Sequence, residues 1–152
     1  MKSYDGTNFA ESPNSNYGHF QSRLGSYLQR PFVVGGRLGQ SHSSKTEIMN
    51  MKTGNYEWEI APDFPESRYV LGQMKLLLFS FELRFSNFAP VSTSNAVYLV
   101  GGISLTEGNP IHKFQNMEWS LNVGTLQQNK YNTAAIQIGN NFLIMGGARN
   151  FE

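Results

Sequence analysis

The side chains that could do chemistry are few and far apart. His19, His42 and His112 are the three histidines, and none has a second histidine, carboxylate or thiol at metal-ligand spacing. His112 falls in mid-strand, where a lone histidine is more simply a surface or satisfied residue than a working base. Glu57 and Glu59 flank Trp58, which puts two carboxylates on one strand face. A solvated face accounts for them, because nothing supplies the opposed carboxyl geometry of a glycosidase. Gly35-Gly36-Arg37-Leu38-Gly39 is glycine-rich but lacks the Gly-Lys-Ser/Thr and helix N-terminus that make a phosphate loop. A Gly-x-Ser-x-Gly nucleophile elbow is absent. With no cysteine in the chain, disulfides, zinc thiolates and a cysteine nucleophile are excluded within it. That composition fits a reducing compartment. No catalytic residue, cofactor or metal is expected.

The elements that would have to position any site are better marked. A length of 152 residues suggests one domain, and 39% hydrophobic with 13% aromatic residues is enough to fold. Only 15% of residues are charged and the formal net charge is +1, so a nucleic-acid partner is not expected. Fifteen glycines beside 11 Phe and 7 Tyr point to many short strands joined by tight turns. The one strong apolar run, Leu76-Leu77-Leu78-Phe79 extended by Phe81, is far shorter than the roughly 20 residues of a spanning helix, and no membrane partner is expected. The residues after Met1-Lys2 carry no apolar stretch that would make a signal peptide. An intracellular location is favoured if that terminus is complete, and no Asn-x-Ser/Thr sequon argues otherwise.

Self-similarity is the main result. Three apolar strands each end in a glycine pair: Pro31-Phe-Val-Val-Gly-Gly36, Val97-Tyr-Leu-Val-Gly-Gly102 and Phe142-Leu-Ile-Met-Gly-Gly147. The two tryptophans follow the first two pairs, as Tyr56-Glu-Trp-Glu-Ile60 and Met117-Glu-Trp-Ser-Leu121. Ahead of the second and third pairs, Asn87-Phe-Ala-Pro-Val91 aligns with Asn132-Thr-Ala-Ala-Ile136. Gly101 and Gly146 are 45 residues apart, Gly35 and Gly101 are 66 apart. Matching Arg68-Tyr69 to Lys130-Tyr131 puts most of the excess at 70–86, the stretch holding the leucine run.

A period of about 45 to 50 residues with glycine pairs and one tryptophan per unit is the signature of a β-propeller blade. From about Gly25 to Arg149 the residues resemble the Kelch family. The apolar strand closes on a di-glycine, a polar strand follows (Thr46-Glu-Ile-Met-Asn50, Ile111-His-Lys-Phe-Gln115), and then the tryptophan. Gly35, Gly36, Trp58, Gly101, Gly102, Trp119, Gly146 and Gly147 are the structural Kelch positions that the resemblance implies. The expected fold is all-β, a Kelch-type propeller fragment of four-stranded antiparallel blades with the ring incomplete, about two and a half blades. Residues 1–24 read as a polar lead, disordered or left from a preceding blade. Blade one is expected over 25–69, blade two over 87–123 and the first half of blade three over 131–149.

Within these units, strands are predicted over 26–29, 32–35, 46–51 and 56–60, then 88–93, 97–101, 111–115 and 118–122, then 133–138 and 142–146. The second strand of each unit is apolar throughout rather than alternating, which implies burial on both faces. The repeated tryptophans read as packing between blades rather than as ligand platforms. Residues 70–86 read as foreign to the fold, since a projecting loop would be polar rather than leucine-rich.

The resemblance implies a protein–protein interaction module whose partner the residues do not name, with the loops 37–44 and 104–110 as its surface. An enzyme is the alternative, because Kelch-like propellers include copper oxidases and sugar mutarotases. The oxidase site needs a cysteine crosslinked to tyrosine, which this chain lacks, and the mutarotase needs a charged funnel around a whole ring. A third reading is an incomplete chain without independent function. An open arc leaves blade faces and strand edges bare, so self-association that covers them is also expected.

Overall fold

The computed structural model describes residues 2–4, 6–19, 22–38, 41–52, 55–65, 88–102, 109–128 and 130–148. Every element among them is a strand. A short hairpin comes first, β1 (Lys2–Tyr4) with β2 (Phe9–Glu11). The first four-stranded sheet contains β3 (Arg23–Tyr27), β4 (Arg30–Val34), β7 (Thr46–Lys52) and β8 (Asn55–Ala61) in that order, all antiparallel. Between β4 and β7 the chain makes a small hairpin of β5 (Arg37–Leu38) and β6 (Ser41–His42). The second sheet repeats the order with β9 (Phe88–Ser92), β10 (Val97–Gly101), β11 (Asn109–Gln115) and β12 (Glu118–Leu126). A last hairpin, β13 (Tyr131–Ile138) and β14 (Asn141–Ala148), lies beyond it.

Two consecutive meanders with the same internal order are what the repeated sequence requires. The sheets stack through their first strands, β3 against β9 and β9 against β13. In each sheet the second strand is sandwiched, and this is why its sequence does not alternate. Phe32, Val33 and Val34 are all buried, as are Val97, Leu99 and Val100. The largest core cluster joins Tyr27, Phe32, Val34, Ile48 and Ala61 of the first sheet to Val97, Leu99 and Phe114 of the second. Phe114 is its hub, 5.1 Å ring to ring from Tyr27 and 5.2 Å from Phe32. Each such side chain contributes about 1.5–3 kcal/mol on burial, so this seam outweighs exposed ion pairs such as Arg30–Glu59. Gly25 is part of the fit, since a Cβ there would meet Pro90 and Ser92 of the next sheet at 3.4 Å.

One strand prediction fails. Residues 26–29 were expected to be extended, but the strand is Arg23–Tyr27, and Leu28 and Gln29 form the turn into β4 with φ of 50° and 61°. Two successive positive-φ residues make the tight turn that matches strand twist, here without the Asn-Gly that usually announces it. Asn116 and Met117 do the same between β11 and β12. The apolar stretch at 70–86, read as foreign to the fold, lies outside the described residues, as do 104–108 of the second expected loop.

Candidate functional site

The fourth strand of each sheet presents its tryptophan to the segment that precedes that sheet. Trp119 donates its indole N–H to the carbonyl of Pro62 at 3.0 Å, and Trp58 donates to that of Pro13 at 3.2 Å. Prolines can accept but not donate through the backbone, and the two lie just past strand ends, Pro62 directly after β8 and Pro13 two residues after β2. Trp119 is further held edge-on by Phe64 at 4.8 Å and packs on Phe114 and Phe32. Trp58 is buried with Val33 and Met49 in a second cluster.

Beside Trp58 lies a buried carboxylate. Glu47 is on β7, opposite Val33 in the ladder, and is fully excluded from solvent. Its four acceptor directions are filled from one short segment. Oε1 accepts from the backbone N–H of Asn16 at 2.8 Å and from its side-chain amide at 2.7 Å. Oε2 accepts from the N–H of Tyr17 at 3.2 Å and from Nε2 of His19 at 2.6 Å. The Asn16 amide spends its other hydrogen on the Trp58 carbonyl, at 2.7 Å. Burial pushes the Glu47 carboxyl up, but the bonds from Asn16, His19 and Tyr17 outweigh it and hold the group below the usual carboxylate range. A carboxylate with every lone pair engaged has no free acceptor for a substrate proton. The arrangement is a clasp that fastens residues 13–19 over the face of the first sheet.

The residues singled out from sequence are placed as follows. The six glycines of the pairs all have positive φ, from 68° at Gly146 to 100° at Gly102. At Gly101 space is also short, since a Cβ would lie 2.8 Å from the carbonyl of Lys130. That carbonyl accepts from Gly102 N–H and from the buried Asn109 amide. His112 is buried at a bulge, where Ile111 pairs with Gly124 and Lys113 with Ser120. Its Nδ1 accepts from Asn122 N–H at 3.4 Å and its ring meets Phe64 edge-on. Burial pulls its pKa from 6.5 down to about 4, so it is neutral and packed. Glu59 bonds Arg30 and Asn50, each at 2.6 Å, while Glu57 stands exposed on the same face. His42 lies in β6, opposite Arg37. Of the two expected surface loops, the first contains the β5–β6 hairpin, and Asn109–Pro110 of the second begin β11.

The Glu47–His19 pair escaped the sequence reading, which found no partner for His19 at ligand spacing. The 28 residues between them carry no motif. The one available signal was an acid beside Ile48 and Met49 in β7, in a strand next to the apolar second strand, where a buried carboxylate demands a partner. Among the described residues no group of three or more His, Asp or Glu gathers as a metal site, and no helix is long and apolar enough to cross a membrane.

Stacked four-stranded antiparallel meanders, with the β13–β14 hairpin against the first strand of the second, define a β-propeller-like fragment. No family model matches the sequence, and no curated protein does. Among solved structures the chain is similar to that described as "Structure of YjhT", with a TM-score of 0.65 at 13% identity over 93% of this chain. The chain spans 42% of the length of that structure. At this identity the likeness establishes the fold alone.

Proposed function

We propose that the chain is a Kelch-type arc of a propeller that serves as a protein–protein interaction module, presenting the loops 37–44 and 104–110. The observation that carries this reading is the β5–β6 hairpin. It leaves the first sheet between the second and third strands, directly after the glycine pair, and 104–110 follows the second glycine pair in the sequence. The shared sequence position after the two glycine pairs supports reading these loops together, since loops on a rigid scaffold are where binding is usually carried.

The test is a peptide-display selection against the folded chain, followed by hydrogen exchange with and without a selected peptide. Protection within 37–44 and 104–110, and loss of binding when Arg37 is reversed to Glu, are expected. A peptide that protects neither loop overturns the loop assignment. Binding of copper or of a sialic-acid-type sugar would instead favour the enzyme alternative.

A further inference from the structure

We propose that residues 62–65 form a proton-released strap: they close over the second sheet while His112 is neutral and lift from it, as a local step ahead of unfolding, when that ring takes up a proton. The proposal does not depend on whether the loops bind peptide.

The repeat supplies the first argument. Val33 and Leu99 hold the same place, each two residues before its glycine pair. In the ladders Val33 lies opposite Glu47 and Leu99 opposite His112, so His112 stands in the second sheet where Glu47 stands in the first. The segments that lie over them correspond as well, since Trp58 takes the carbonyl of Pro13 and Trp119 that of Pro62. Residues 13–19 close on a carboxylate through the bonds from Asn16, Tyr17 and His19. In the second sheet the matching seat is an imidazole, against which Phe64 sets its ring at 5.2 Å. The first strap is thus held on a charge and the second on an uncharged ring.

The second argument is which part yields. β11 is fixed on both sides by β10 and β12, and Phe114, on the same face as His112, belongs to the largest core cluster. Residues 62–65 have no ladder. They are joined to the second sheet by the bond from Trp119 to Pro62 and by the rings that Phe64 touches, Trp119 and His112. Their other side is tied to the first sheet, where Phe64 N–H donates to the Ser44 carbonyl at 2.8 Å and Asp63 pairs with Lys45 at 2.7 Å. A segment held in this way pivots on the first sheet and opens from the second, at less cost than unfolding either.

The third argument is the sign of the proton's effect. Nδ1 of His112 accepts from Asn122 N–H, so a proton there would set donor against donor. Burial brings the ring's pKa down to about 4, which marks a seat that disfavours the cation. The charged groups around it among the described residues are Lys113 and Glu118, on the far face of the sheet, and Asp63, which Lys45 engages; β10 offers Leu99 and β12 Asn122. With the closed value below the ordinary 6.5, acid favours the open strap. The opening constant should rise roughly twentyfold from pH 7 to pH 5. Over that range the Glu47 carboxyl, held below 4.5, stays ionised and residues 13–19 stay shut.

The two tryptophans give one reporter for each strap. Hydrogen exchange of the two indole N–H groups, followed by NMR on the whole chain, is compared as the rate for Trp119 over that for Trp58, which cancels the intrinsic dependence on pH. This ratio should rise roughly twentyfold between pH 7 and pH 5. In the same samples the His112 C2–H resonance should titrate near 4, which needs no variant. His112→Gln keeps an acceptor for Asn122 and should hold the ratio flat. A ratio that is constant to pH 5, both indoles speeding up together, a His112 ring that titrates at its ordinary value, or a rise that survives in His112→Gln would each overturn the strap.

Discussion

Nε2 of His19 lies 2.6 Å from Oε2 of Glu47 while Nδ1 of the same ring lies 2.7 Å from the carbonyl oxygen of Gly35. The ring is thus held at both nitrogens, between the Glu47 carboxylate and the carbonyl that begins the glycine pair. It ties a segment without secondary structure to the second and third strands of the first sheet.

Glu47→Ala strips the partner from His19, Asn16 and Tyr17 at once, and is expected to cost about 3 kcal/mol or more. His19→Ala leaves Glu47 with three of its four donors and should cost less. Urea titration gives the ranking, and hydrogen exchange should show residues 13–19 released in both variants while β9 to β12 stay protected. Equal costs would mean that Asn16 and Tyr17 contribute nothing. Because folding holds the Glu47 carboxyl below its usual 4.5, its contribution is complete above that pH and is lost as acid passes the lower folded value.

Gly101 and Gly146 separate backbone conformation from space. Alanine at Gly146 would suffer only the φ of 68°, with open space around its Cβ, for which roughly 1–2 kcal/mol is expected. Alanine at Gly101 adds a Cβ only 2.8 Å from the anchored Lys130 carbonyl, so this variant should lose about 2–4 kcal/mol. Denaturant midpoints of the two variants decide it. An equal shift would show that φ alone sets the requirement.

Phenylalanine at Trp58 or Trp119 keeps an aromatic body and removes the N–H. Each substitution leaves a proline carbonyl without its indole donor, Pro13 or Pro62, and is expected to cost about 1–2 kcal/mol. The structural consequences should differ. Trp58→Phe loosens the segment that the Glu47 clasp also holds, whereas Trp119→Phe perturbs its contact with Phe64 and, across the seam, with Phe32. Amide exchange at 13–19 against that at 62–65 reads the two apart.

What the sequence disclosed and what it hid have separate physical causes. The second strands, the glycine pairs and the tryptophans repeat because each sheet must bury the same face against its neighbour, and a repeated demand leaves a repeated pattern. The turn at Leu28-Gln29 was missed because its positive φ is imposed by the strands on either side rather than by a glycine or asparagine. His19 and Glu47 were missed because their contact occurs once, between a segment with no periodicity and a strand, so no second copy exists to reveal it. Of the candidate site, the place of the first loop could be read from sequence, while the clasp could be seen only once the chain was folded.

His112 provides the last expectation, a dependence of stability on acid. Burial brings its folded pKa to about 4 from 6.5, so between those values the unfolded chain holds a proton that the folded chain refuses. Stability then rises with pH across this window and falls on acidification. From pH 7 to pH 4.5 the loss attributable to this group is about 2 to 3 kcal/mol. Protonation would also cost the Nδ1 its role as acceptor for Asn122 N–H. His112→Gln retains a side-chain acceptor and has no charge to refuse. Urea melts of both forms at the two pH values give the contribution by difference, which cancels titration elsewhere in the chain. A variant that loses as much stability on acidification as the parent would show that His112 takes up its proton while folded.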